Sequence, residues 1–182
     1  MKKILLLLVM VPLFLPAHGQ ENFFTKKGTI TFYSHTPVED ITAENSGVGS
    51  IINSSTGEIV FTLKMTDFIF PKKLMQKHFN DNYVESDKFP KATYKGTIIN
   101  NDSVNYQKEG SYPVMVTGEM YIHGVTREVD AEGTISVTGE GIEANAVFML
   151  QPENYGIKIP RLVRKRLAEN VEITVDMSYK PM

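Results

Sequence analysis

The sequence predicts an all-β domain, an eight-stranded antiparallel lipocalin-like barrel with two short helical insertions, and three observations carry that prediction. Long segments alternate apolar and polar residues with a period of two. Short connections rich in Gly, Asn, Ser and Thr separate them. Helical spacing is confined to two brief stretches. Alternation buries one face of a strand and wets the other, and short links join sequential strands as antiparallel hairpins. Such a set of strands must hide its edges, and an up-and-down barrel does so with the fewest long crossovers. A two-sheet sandwich is the alternative arrangement.

In chain order the candidate strands are residues 29–35, 47–53, 58–67, 93–100, 112–123, 127–138, 142–150 and 171–179. The last states the pattern most plainly: Val171, Ile173, Val175, Met177 and Tyr179 share one face, and Glu172, Thr174, Asp176, Ser178 and Lys180 the other. The same division puts Ile59, Phe61, Leu63 and Met65 on one side of the third strand. It puts Val114, Val116, Met120 and Ile122 on one side of the fifth. NSSTG at 53–57, HGVT at 123–126 and TGEG at 138–141 consist of turn-forming residues.

Residues 71–83, PKKLMQKHFNDNY, place Leu74, Met75, His78, Phe79 and Asn82 at helical spacing behind a proline suited to a first turn. Residues 159–170, IPRLVRKRLAEN, put Leu162, Val163 and Leu167 on one face of a second expected helix, with Arg161, Arg164, Lys165 and Arg166 mostly on the others. Both insertions suit a lid over one end of a barrel.

Residues 1–19 read as a secretory signal peptide: two lysines, an apolar run over 4–15, and small residues at Ala17 and Gly19. The run is too short to span a bilayer. Residues 20–182 are therefore expected as one exported domain, periplasmic or secreted, without stable membrane insertion and monomeric or weakly dimeric. The chain has no cysteine, which excludes disulfides, thiol nucleophiles, thiolate metal sites and a lipoprotein attachment point. Loss of Lys2 and Lys3 with the leader leaves 17 basic residues of 19 against 21 acidic ones, so the formal charge goes from −2 to −4. That balance suggests neither nucleic acid nor an anionic membrane as a partner.

Nothing in the sequence has the spacing of an active site. His123 falls in YIHGVTREV, residues 121–129, where one alternating segment stops and another starts, so Gly124 supplies a tight turn and His123 closes a strand. His35, His78 and His123 lie far apart, with no H-x-H or H-E-x-x-H spacing for a metal. Asp130 and Glu132 alternate along one strand, as solvated carboxylates do. No G-x-S-x-G elbow or phosphate loop occurs. The reading is therefore non-enzymatic, with no cofactor and no metal.

The interior is more informative. Gly96, Gly118, Ala131, Gly133, Ala144 and Ala146 fall on the faces that carry the large apolar residues, and small inward residues leave room for a guest. Met65, Met120 and Met177 add flexible walls suited to an irregular apolar ligand. A packed barrel whose glycines mark strand bends, acting through its surface in interaction or stress protection, remains the competing reading.

Two motifs point further. HFNDNYVESDKFPKATYKG, residues 78–96, and GEMYIHGVTREV, residues 118–129, resemble the YceI-like proteins of bacterial periplasms. Residues 39–70 and 154–179 resemble the early hairpin and the closing segment of that family. The resemblance implies a lipocalin-like barrel holding a polyisoprenoid, such as a quinone tail or an isoprenyl phosphate, for carriage or storage rather than catalysis. Together with the inward faces read from alternation, it nominates Phe32, Phe61, Leu63, Met65, Phe68, Phe79, Met120, Phe148 and Ile157 as pocket residues. Arg161 and Arg164 are read first as the solvated face of the second expected helix, and as candidate contacts for a phosphate headgroup if that helix caps the mouth.

Overall fold

Eight strands pair in sequence order and the last pairs with the first: β1 (Asn22–His35), β2 (Asp40–Asn53), β3 (Glu58–Lys64), β4 (Lys91–Ile98), β5 (Gly110–Ile122), β6 (Val125–Thr138), β7 (Gly141–Leu150) and β8 (Val171–Pro181). The structure, a computed structural model, describes residues 22–161 and 163–182. The signal-peptide reading of residues 1–19 and the helical placement of Leu162 lie outside the described residues. Every pairing is antiparallel, and β1 bonds both β2 and β8. The ring is therefore a barrel, not a sandwich, and it leaves no edge for another chain to join.

β1 and β2 run longer than their alternation suggests because each changes phase midway. In β1 the inward residues are Phe23 and Thr25, then Gly28, Ile30 and Phe32, and the exposed Lys26 and Lys27 form the bulge between them. In β2 the inward set passes from Ala43 and Asn45 to Val48, Ser50 and Ile52 across Ser46 and Gly47. An extra residue at a bulge shifts every later side chain to the opposite face. Asn45 stabilises the second bulge: wholly buried, it donates to the Lys64 carbonyl at 2.9 Å and accepts from the Gly47 amide at 3.0 Å.

The antiparallel order sends the two longest insertions to one end. There the β1–β2 turn, residues 65–90, the β5–β6 turn and residues 151–170 meet. Residues 65–67 leave the expected strand as a 3-10 turn, and residues 71–83 contain α1 (Lys73–His78) continued by a π-helical turn, Phe79–Tyr83. The second expected helix does not form. On either side of residue 162 the chain makes separate turns in which Val163 N–H donates to Pro160 O and Arg166 N–H to Val163 O. Two anchors hold this segment out of a helix: Val163 and Leu167 reach the barrel interior, and the Ala168 amide donates to the buried Ser34 hydroxyl at 2.8 Å. One or two turns of isolated helix are too short to resist that pull.

The opposite end is filled. Tyr179, 1% exposed, hydrogen-bonds Ser50 at 2.8 Å, and Ser50 in turn donates to the Val60 carbonyl. Phe23 stacks on Tyr106, whose hydroxyl donates to Asn101. Ile52, Ile98, Val137 and Ile142 complete this plug. Burial raises the Tyr106 hydroxyl to about 12 and that of Tyr179 further, so both remain neutral donors.

Candidate functional site

Between the plug and the inserted segments lies a cavity of about 560 Å³, within the range of pockets that enclose small-molecule ligands. Strand alternation builds its wall. Ile59, Phe61 and Leu63 project inward from β3, Val114, Val116 and Met120 from β5, and Ile173 and Val175 from β8. Ala131, Gly133, Ala144 and Ala146 line the β6–β7 side with almost no side-chain volume. The space therefore follows from small residues on two neighbouring strands, where Gly133 faces Ala146.

The roof is aromatic. Phe79, from the π-helical turn, lies 5.0 Å from Phe70, 5.6 Å from Phe68 and 6.4 Å from Phe32, measured between ring centroids. These distances suit tilted and offset ring contacts. The charged and titratable side chains on the lining besides tyrosines are Glu39, Lys72, His78 and Arg166, all supplied by mouth-end connections. Lys72 pairs with Glu39 at 2.9 Å, fastening the β1–β2 turn to the segment before α1. The site is thus mainly apolar in depth, and its charged lining groups among the described residues stand at the entrance.

All nine side chains nominated as pocket residues, Phe32, Phe61, Leu63, Met65, Phe68, Phe79, Met120, Phe148 and Ile157, stand on this wall. Neither nominated arginine does. Arg161 is exposed, and Arg164 reaches away to Glu153 at 2.6 Å. Arg166, from the same basic run, lines the entrance instead. Three small or flexible interior residues also serve another purpose. Gly96 and Gly118 are paired across β4 and β5; the Tyr94 ring takes the space over Gly96, and the Gly96 and Lys95 backbone takes that over Gly118. That ring crosses to donate to the Val129 carbonyl at 3.1 Å, and its burial raises the hydroxyl to about 12. Met177 occupies the space over Gly28, packed 2% exposed in the core rather than on the cavity wall.

His123 is a structural fastener. With Gly124 it adopts positive φ values of 51° and 79°, a two-residue turn whose twist suits a hairpin. Its Nδ1 faces the Tyr155 carbonyl and its Nε2 the Glu85 carboxylate, each at 3.0 Å, and Phe89 packs edge-on at 4.6 Å. Both nitrogens are committed to acceptors, which leaves none for a nucleophile. No spacing in the sequence ties His123 to Glu85, 38 positions away. Hydrogen bonds from Lys88 and from His123 hold the Glu85 carboxyl below its ordinary value. Among the described residues no group of three or more His, Cys, Asp or Glu is placed to hold a metal.

A closed β-barrel plugged at one end and hollow and apolar at the other defines a lipocalin-like container. This chain belongs to the YceI-like domain family, whose model matches residues 18–179. No curated protein matches it. Among solved structures, a polyisoprenoid-binding domain from Saccharophagus degradans, implicated in plant cell wall breakdown, superposes with a TM-score of 0.77 at 13% identity, over 90% of this chain and 99% of that one. Burkholderia cenocepacia BcnA gives 0.68 at 14% identity, over 82% and 94%. A Campylobacter jejuni YceI protein gives 0.55 at 12% identity, over the whole of both chains. At these identities the likeness is one of fold.

Proposed function

We propose that this protein is a non-enzymatic carrier or store for a long apolar lipid, a polyisoprenoid or isoprenoid quinone, held inside the barrel of an exported, periplasmic or secreted protein. The observation that carries this reading is the cavity itself: a deep apolar wall beneath an entrance with the only charged lining groups. Desolvation supplies the driving force, since each buried methylene contributes roughly 0.8 kcal/mol. Phe32, Phe61, Leu63, Met65, Phe68, Phe79, Met120, Phe148 and Ile157 provide the contact surface, and the polar head rests near Lys72, His78 and Arg166. The binding domain from Saccharophagus degradans, whose fold this chain shares, supports a polyisoprenoid as the guest.

Native mass spectrometry of the protein purified without detergent, followed by solvent extraction, tests the reading. A stoichiometric adduct with a five-carbon repeat in the released lipid is expected. A clean unliganded mass that also refuses added quinones and isoprenyl phosphates overturns it.

A further inference from the structure

The net charge of −2 averages over a polarised molecule. Over its four connections, residues 36–39, 65–90, 123–124 and 151–170, the mouth carries nine Lys or Arg against seven carboxylates, and the stretches 71–78 and 157–168 hold eight of the nine with no carboxylate. Glu39, Asp81 and Glu153 pair with Lys72, Lys77 and Arg164. Lys73, Lys158, Arg161, Lys165 and Arg166 make no ion pair among the described residues. At the plugged end, the connections over 53–58, 99–110 and 138–141 hold Glu58, Asp102, Glu109 and Glu140 against Lys108 alone. The two ends therefore carry opposite charge.

Exposed large apolar side chains stand at both ends, three in the mouth connections against Ile99, 58% exposed, in those of the plug. Among the described residues, the most exposed large apolar side chains apart from Met182 are Leu74 at 63%, Ile69 at 62% and Val38 at 60%. All three belong to mouth-end connections. Leu74 stands beside Lys73 on α1, at the lip of the cavity. Cations interspersed with projecting apolar side chains around an opening match the boundary between anionic headgroups and acyl chains.

We infer that the mouth end docks reversibly on an anionic phospholipid bilayer, with Lys73, Lys158, Arg161 and Lys165 against the headgroups and Leu74 and Val38 dipping beneath them. Docking there brings the open end of the cavity against the membrane, so a lipid guest passes between bilayer and barrel without crossing water. The acidic plug end turns away and orients the approach. What docking achieves rests on the carrier reading; the docking surface itself does not.

The test is flotation with phosphatidylcholine vesicles and with vesicles that also contain phosphatidylglycerol, at low and high salt. Binding is expected only with phosphatidylglycerol and is expected to weaken as salt screens it. Lys73→Gln with Lys165→Gln removes two exposed mouth cations that do not line the cavity, and weakens binding roughly thirty-fold, at about 1 kcal/mol per cation. Lys108→Gln, at the plug, leaves it unchanged. Equal affinity for both vesicles, or equal loss on Lys108→Gln, overturns the inference. Absence of vesicle binding overturns it too, and points to an acidic protein as the partner of this face. Uptake of an apolar fluorescent probe in vesicle-free solution separates the two readings: uptake without vesicle preference defeats docking alone, and vesicle preference without uptake defeats the carrier.

Discussion

The two ends of the barrel use one strand pattern to opposite effect. At the plug, inward positions hold large side chains with satisfied hydroxyls: Tyr179 on Ser50, Tyr106 on Asn101, and Phe23 stacked on Tyr106. At the mouth, inward positions on β6 and β7 hold Ala131, Gly133, Ala144 and Ala146, and the missing volume is the cavity. Alternation decides which side chains face in. Their volumes decide whether the interior is core or container.

If the plug is the stabilising half, Tyr179→Ala should destabilise the protein most, by about 3–5 kcal/mol, since it opens a cavity and strands Ser50. Denaturant unfolding measures this, and ligand uptake per folded molecule should be unchanged. Gly118→Ala comes next. Its Cβ would lie 2.4 Å from the Gly96 Cα and from the Lys95 carbonyl oxygen, and such overpacking costs about 1–3 kcal/mol; the readout is Tm. Ala146→Phe sharpens the contrast, because the new ring enters vacant space. Uptake of the lipid should fall sharply while stability moves by less than about 1 kcal/mol, and an equal loss of both would show that the cavity is not empty in solution.

The smallest effect is one of pH. The folded-state pKa of Glu85 is depressed, so its contribution to stability is present above the ordinary carboxylate value and is lost as pH falls through the lowered one. Glu85→Gln should remove that acid-side slope, seen as amide exchange at the His123–Gly124 turn followed across acidic pH. The plug behaves oppositely. With the Tyr106 hydroxyl raised to about 12 and that of Tyr179 further, it should hold below pH ~10 and weaken as the pH climbs through the raised values.

Much of this was legible because a strand with one wet face is written locally. The parity of Phe61 with Leu63, and of Val114 with Met120, follows from counting by two. What was hidden depends on distant partners. The bulges at Lys26–Lys27 and Ser46–Gly47 break the count and shortened β1 and β2 in the sequence reading. Gly118 meets the Gly96 and Lys95 backbone only once β4 and β5 are in register, so those glycines looked like empty space. The Ala168 amide bonds Ser34, on β1, and Arg164 pairs with Glu153, distant contacts that no local spacing announces.

The seam between β1 and β8 has a kinetic consequence. Phe32 pairs with Ile173 and Tyr33 with Glu172, contacts joined through nearly the whole chain. Each stretch of strands before that seam is an open ribbon with two bare margins, and closing so long a loop costs conformational entropy before any bond rewards it. The decisive folding event therefore waits for the last strand. A chain that cannot seal itself until its final segment arrives keeps its margins bare until the last strand is in place.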